Sequence, residues 1–133
     1  MKYMILLYGS QQDYDVLAGK PGPKPPMTPD EVAAMHQIME SIHTDLAASG
    51  ELVDGQGLSA PVHARRVQLS NGAPVVTDGP YPETMEVLAG FTIVDCASYD
   101  RAVEIASKFV NPANPDEYVD VRPVIDGIED LEV

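Results

Sequence analysis

The sequence predicts an α+β domain in which one antiparallel sheet carries two helices on a single face. Apolar runs rich in β-forming residues occur at 2–9, 87–96 and 118–124. Two other segments, 29–49 and the one after Ser98, place apolar residues at helical spacing. Together with a hairpin, these segments follow the order β-α-β-β-β-α-β, and the predicted sheet buries all of their apolar stripes.

Composition limits both the size and the partners of this domain. The chain has 133 residues, which fits one domain over 1–133, and 44% are hydrophobic, enough for a core. Its 21 acidic and 8 basic side chains give a net charge of −13. Nucleic acids and anionic membranes both bind basic surfaces, so neither is expected as a partner.

The cellular compartment follows from the single cysteine and the first strand. Cys96 cannot form an intrachain disulfide, and its place at the end of a strand predicts a small filler residue. The apolar run at 2–9 is too short for a signal peptide core or a membrane span. We therefore expect a cytoplasmic protein.

The first half of the chain predicts a strand, a loop and a helix. Four prolines lie within residues 10–28, and Pro29 follows directly. We therefore expect a loop without regular structure at 10–28, which is a mobile surface loop, a lid or a partner contact. Thr28 and Glu31 have the spacing of a capping box, and Pro29 suits the first helical position. Gly50 is a typical C-cap, so the helix should run over 29–49.

The second half predicts an extended piece at 51–58 and then a hairpin. Strands at 64–70 and 73–77 flank Asn71-Gly72, a strong two-residue turn signal. A loop at 78–86 leads to the strand at 87–96, in which Gly90 indicates a bulge or a close approach. A helix capped by Ser98, a strand at 118–124 and an acidic tail at 125–133 complete the chain.

The strands also predict an assembly. Residues 2–9 and 87–96 are apolar at nearly every position, yet the helices can cover only one face of the sheet. A second copy of the chain is the simplest cover for the other face. We therefore expect a homodimer packed sheet to sheet.

Residues 76–91, VTDGPYPETMEVLAGF, resemble the signature of the YCII-related, DGPF-type family. The matching positions are Asp78, Gly79, Pro80, Glu83, Thr84, Glu86, Gly90 and Phe91. The first strand, the stretch after the first helix and the terminal Arg122-Pro123 also resemble this family, so the likeness covers nearly the whole chain. Tyr81 replaces the family's phenylalanine, and Met85 replaces its lysine, which leaves the motif loop more negative.

The resemblance implies a ferredoxin-like fold in a dimeric α/β barrel-type assembly, with a pocket near the subunit interface. Most DGPF-type members have no known function, and some are linked to extracytoplasmic-function sigma factors. In the wider group a His–Asp pair has been proposed as catalytic, and some relatives degrade chlorinated aromatics. No cofactor is implied.

Three carboxylates in the motif, those of Asp78, Glu83 and Glu86, lie within nine residues of one another. Crowded carboxylates raise one another's pKa, which suits general acid–base chemistry. The alternative is that they and Thr84 stabilise the backbone of the loop.

His36 and His43 lie seven residues apart, on the same flank of the predicted helix. This spacing exceeds the three- or four-residue step that lets two imidazoles share a metal, so no metal site is expected. Each histidine either lines a pocket as an acid or base or lies at the helix–sheet edge.

Arg122 on the last strand points either outward to Asp120 or inward to Asp78 or Glu83. Tyr8 ends the first strand, where it either presents its hydroxyl to the same site or belongs to the core. The predicted ligand-binding residues are therefore Tyr8, Gly79, Pro80, Glu83, Thr84, Glu86 and Arg122.

Two functional hypotheses follow. In the first, the protein binds a small molecule near the dimer interface, and in an enzymatic version Asp78 with His36 or His43 performs acid–base chemistry. In the second, it is a non-catalytic regulatory or interaction module, partnered with a sigma factor or another transcription protein through its acidic surface.

Overall fold

The computed structural model describes residues 1–80, 87–112, 114 and 116–131. Within them, four strands form an antiparallel sheet in the order β2-β5-β1-β6, and two further strands form a separate hairpin. The strands are β1 (Lys2–Gly9), β2 (Leu52–Gly57), β3 (Arg65–Ser70), β4 (Ala73–Asp78), β5 (Val87–Asp95) and β6 (Val119–Pro123). The helices are α1 (Gln11–Leu17), α2 (Pro29–Ser49) and α3 (Tyr99–Ser107). The predicted α+β class and antiparallel sheet are confirmed.

The core lies between the sheet and one layer formed by α2 and α3. Alternate residues of each strand point to the same side, so Tyr3 and Ile5 of β1 and Val94 of β5 share a face. These side chains pack with residues from both helices, and the buried apolar cluster is completed by Ile42, Leu46, Cys96, Ala102, Ile105, Ala106 and Phe109. Cys96 is thus a buried filler with a free thiol, as expected.

Local signals at both ends define α2 as predicted. The Thr28 hydroxyl accepts a hydrogen bond from the backbone N–H of Glu31, and the Glu31 carboxylate accepts one from the Thr28 N–H. Gly50 ends the helix in the left-handed region, with φ of 79°. No helix in the described part of the chain is long and apolar enough to cross a membrane.

The expected unstructured loop over 10–28 is wrong for residues 11–17, which form α1. The Ser10 hydroxyl accepts from the backbone N–H of Asp13, while the Asp13 carboxylate accepts from the Ser10 N–H, a second capping box. The Tyr14 hydroxyl then donates to the carbonyl of Leu58 at 2.8 Å, which anchors α1 to the end of the sheet. The chain therefore has three helices among its described residues, and not two.

The prediction of a single sheet is incomplete, because the described strands form a four-stranded sheet and a separate two-stranded hairpin. The hairpin forms where expected, with Asn71-Gly72 at its turn, but among the described strands β3 and β4 pair only with each other. The described strands form an open sheet and no closed barrel. A barrel-type assembly would need two chains, and it stays a prediction.

The close approach predicted at Gly90 occurs against β2. A Cβ at this position would lie 2.8 Å from the backbone oxygen of Gln56, too near for the edge strand to stay in place. We expect Gly90→Ala to lower the free energy of unfolding by about 1–3 kcal/mol in urea titrations. Gly57 pairs directly with Gly90 but has open space, so Gly57→Ala is the matched control and should change stability by less than about 0.5 kcal/mol. Equal effects of the two substitutions would contradict this packing.

Candidate functional site

The face of the sheet opposite the helices has an apolar centre. Met4 and Leu6 of β1 lie opposite Ile93 and Phe91 of β5 in the antiparallel register. They alternate with the core residues, so they point away from α2 and α3. All four are largely, but not fully, buried. We call them the apolar strip.

A polar cluster adjoins this strip where β1 meets β6. Asp120 and Arg122 pair with Leu6 and Met4, which places both charged side chains on the helix-free face. The Tyr8 hydroxyl donates a hydrogen bond to the Asp120 carboxylate at 2.7 Å. Its ring lies 5.6 Å from that of Tyr118, centroid to centroid. We call Tyr8, Tyr118, Asp120 and Arg122 the Tyr8 corner.

The electrostatics of the corner keep the Tyr8 hydroxyl protonated at neutral pH. The hydrogen bond to Asp120 raises the pKa of Tyr8 above its ordinary value of 10, and the nearby charge of Arg122 opposes part of this shift. With its proton directed at Asp120, the Tyr8 oxygen can accept one hydrogen bond from a ligand. Among the described residues, Arg122 has no carboxylate within salt-bridge distance, so its donors are available.

This placement bears on one of the two orientations expected for Arg122, since Glu83, one of the inward partners, lies outside the described residues. Arg122 lies near Asp120 on the helix-free face, and Asp78 is paired elsewhere. Tyr8 belongs to the same cluster and not to the helix-packed core. The sequence analysis named Asp120 only as an outward partner of Arg122 and missed its hydrogen bond with Tyr8, and it missed Tyr118 altogether. The alternation of β6 already places Asp120 and Arg122 on one side.

Asp78 lies at the base of the hairpin and is exposed to solvent. Its carboxylate is 3.7 Å from the Arg65 guanidinium, and its side chain is 82% exposed. The neighbouring Gly79 N–H donates to the Ala64 carbonyl at 2.9 Å, which closes the hairpin, and Pro80 is exposed. The other motif residues that were expected to bind a ligand lie outside the described residues, and they are Glu83, Thr84 and Glu86.

His43 lies at the helix–sheet edge. Its Nδ1 is 2.8 Å from the carbonyl oxygen of Met39, and its Nε2 is 3.1 Å from the hydroxyl of the buried Thr92. The ring also packs edge-on against Phe109, at 5.9 Å between centroids. With both nitrogens in hydrogen bonds, the ring connects α2 to β5.

His36 lies elsewhere, on the outer side of α2. It borders an open groove of about 430 Å³ between the end of α1 and the start of α2, lined mainly by Leu17, Met27, Val32 and Ala33. No hydrogen bond or ion pair among the described residues joins either histidine to Asp78. No three metal-ligating side chains converge in the part of the chain that the structure describes.

Comparison with known proteins agrees with the sequence motif. The sequence model of the YCII-related domain matches residues 1–126. The chain is also 34% identical, over 87 residues, to the uncharacterized protein R00369 of Rhizobium meliloti (strain 1021). That alignment covers 65% of this chain and 69% of the relative.

Proposed function

The chain belongs to the YCII-related domain family, and from this premise and the geometry of the Tyr8 corner we propose that it binds a small organic molecule at the helix-free face of its sheet. One observation carries the proposal: the Tyr8–Asp120 hydrogen bond and the available guanidinium of Arg122 lie together beside the apolar strip. Ligand sites combine an apolar lining with a few convergent polar groups in this way.

The groups at the corner favour a particular ligand class. Arg122 offers the planar donors that bind carboxylates, and the chain has only eight basic side chains with which to do so. Tyr8 and Tyr118 offer rings against which an aromatic or other apolar body can pack. The preferred ligand is therefore a small carboxylic acid with an apolar body.

A second copy of the chain would enclose this site. The corner is open in one chain, since Tyr118, Asp120 and Arg122 are all exposed. A homodimer packed through the apolar strips would remove water from the side of the site that faces the partner. The element order of the main sheet, β-α-β-β-α-β once the hairpin and α1 are set aside, supports the ferredoxin-like description that goes with this dimer.

A thermal-shift screen with aromatic and aliphatic carboxylic acids tests the proposal. We expect at least one acid to raise the melting temperature of the wild type, because binding to the folded state stabilises it. The shift should be lost in Arg122→Ala, and for acids that also carry a hydroxyl able to donate to the Tyr8 oxygen it should be reduced in Tyr8→Phe. Lys2→Ala is the control, since it removes an exposed positive charge from the same face at the other end of β1. A full shift in Arg122→Ala, or no shift with any acid in the wild type, would count against the site.

Two other hypotheses remain predictions. Acid–base catalysis by Asp78 with His36 or His43 would need a ligand or a second chain to bring these groups together.

A regulatory module that binds a sigma factor or another transcription protein is supported by a group of exposed carboxylates, which suit a basic partner. They belong to Asp116, Glu117, Asp126, Glu129 and Asp130. If the chain is such a module, the wild type and Arg122→Ala should bind a purified sigma factor equally well.

A further inference from the structure

The hairpin of β3 and β4 has one apolar face that lies in solvent. In its register Val67 lies opposite Val76, and Leu69 lies opposite Pro74, so the four share one face. Val67 is 64%, Leu69 74% and Val76 56% exposed. We call residues 65–78 the arm and these four side chains its apolar face.

Among the described elements, the two strands of the arm pack mainly on each other. Its base is held by the Gly79–Ala64 hydrogen bond and by the loose Arg65–Asp78 pair, at 3.7 Å. Isolated two-stranded hairpins are marginal in water, and exposed apolar hairpin faces promote association. A partner surface that covers the apolar face would stabilise the arm.

Charge distinguishes the arm from the rest of the chain. The arm contains two basic side chains, Arg65 and Arg66, and one carboxylate, that of Asp78, so it is net positive, whereas the whole chain has a net charge of −13. The surface that attracts this segment is therefore acidic, and the rest of the same chain is such a surface. An apolar face with positive charge at its base is thus complementary to the acidic body of a second copy.

The small exposed area of the helix-free face also favours a contact between the arm and a second copy of the chain. A stable interface buries about 800 Å² on each side. The four side chains of the apolar strip are already largely buried within one chain, so together they expose much less than that. Two arms that each cover part of the other chain would supply the missing area.

We propose that the arm is an interface element, whose apolar face packs on the body of a second copy of this chain while the partner's arm does the same in return. Such a reciprocal contact closes after two chains and gives a dimer with two-fold symmetry. The inference rests on the self-association proposed above and adds to it a defined contact surface.

Sedimentation of paired double variants tests the arm. Val67→Asp with Leu69→Asp places two charges on the apolar face, while Gln68→Asp with Ser70→Asp places the same charges on the opposite face of the same strand. We expect the wild type and the second variant to sediment as dimers, and the first to dissociate at least 100-fold more readily with an unchanged helical circular dichroism spectrum. Val67→Thr with Leu69→Thr, which keeps strand-forming residues, should give an intermediate dissociation constant.

The outcomes separate the arm from the sheet face. A wild-type dimer that persists unchanged in both the aspartate and the threonine variants of the apolar face overturns the arm contact and leaves the sheet-face dimer standing. Equal dissociation of the two aspartate variants also overturns it, since the effect would then not depend on which face of the arm carries the substitutions. A wild type that is monomeric at every concentration overturns both the arm contact and the proposed self-association.

Discussion

Replacing Ile105 by alanine is expected to lower the free energy of unfolding by about 3–4 kcal/mol, because the shortened side chain leaves a cavity that the core cannot refill. Ile105 is 0% exposed and lies on the face of α3 that packs against β6 and β1. A loss of this size is a large part of the total stability of a small domain, which is typically about 5–15 kcal/mol. Urea titrations followed by circular dichroism measure it directly.

Val103 on the same helix provides the control. It is 51% exposed, so Val103→Ala removes little buried surface and should cost less than about 0.5 kcal/mol. Equal stability of the two alanine variants would contradict this packing, because Ile105 would then not lie on the buried side of α3.

Acid is expected to remove the stabilising effect of Glu51, a residue outside the candidate site. The Arg101 guanidinium binds both carboxylate oxygens of Glu51, with Nε to Oε2 at 2.9 Å and Nη2 to Oε1 at 2.8 Å. This pair joins the start of α3 to the residue before β2. The hydrogen bonds from Arg101, followed by the one from Ser49, lower the pKa of Glu51 from its ordinary 4.5 to about 2.

The sign of the pH effect follows from this lowered pKa. The unfolded chain takes up a proton at Glu51 near pH 4.5, whereas the folded chain does so only near pH 2, so the stabilisation is complete above pH 4.5 and is lost as the pH falls towards 2. We therefore expect Glu51→Gln to be less stable than wild type at pH 7, with the difference shrinking steadily between pH 4.5 and 2. The exposed Glu40→Gln is the control and should show no such trend. A difference that stays constant over this range would rule out the ion pair as its source.

Features encoded by neighbouring residues could be predicted from the sequence. The bounds of α2 follow from Thr28, Glu31 and Gly50, all of which act within one turn of a helix end. The hairpin turn at Asn71-Gly72 is equally local. The start of α1 is also encoded locally, by the capping box of Ser10 and Asp13. The prediction of a loop there is wrong because it gave more weight to the prolines that follow.

Contacts between distant segments could not be predicted. Tyr8 and Asp120 are 112 residues apart, and only the pairing of β1 with β6 brings them together. Glu51 and Arg101 are 50 residues apart, and neither belongs to a recognisable motif. For the same reason the sequence allowed His36, His43 and Asp78 to be considered together, whereas the structure places each beside different neighbours.

In the dimer that we propose, a second copy of the chain covers the helix-free face with its apolar strip and the Tyr8 corner. The most direct test is sedimentation equilibrium of the wild type at micromolar concentration. We expect a mass of twice the chain's 14.3 kDa. A mass of one chain at every concentration would contradict it, because no second copy would then cover the helix-free face.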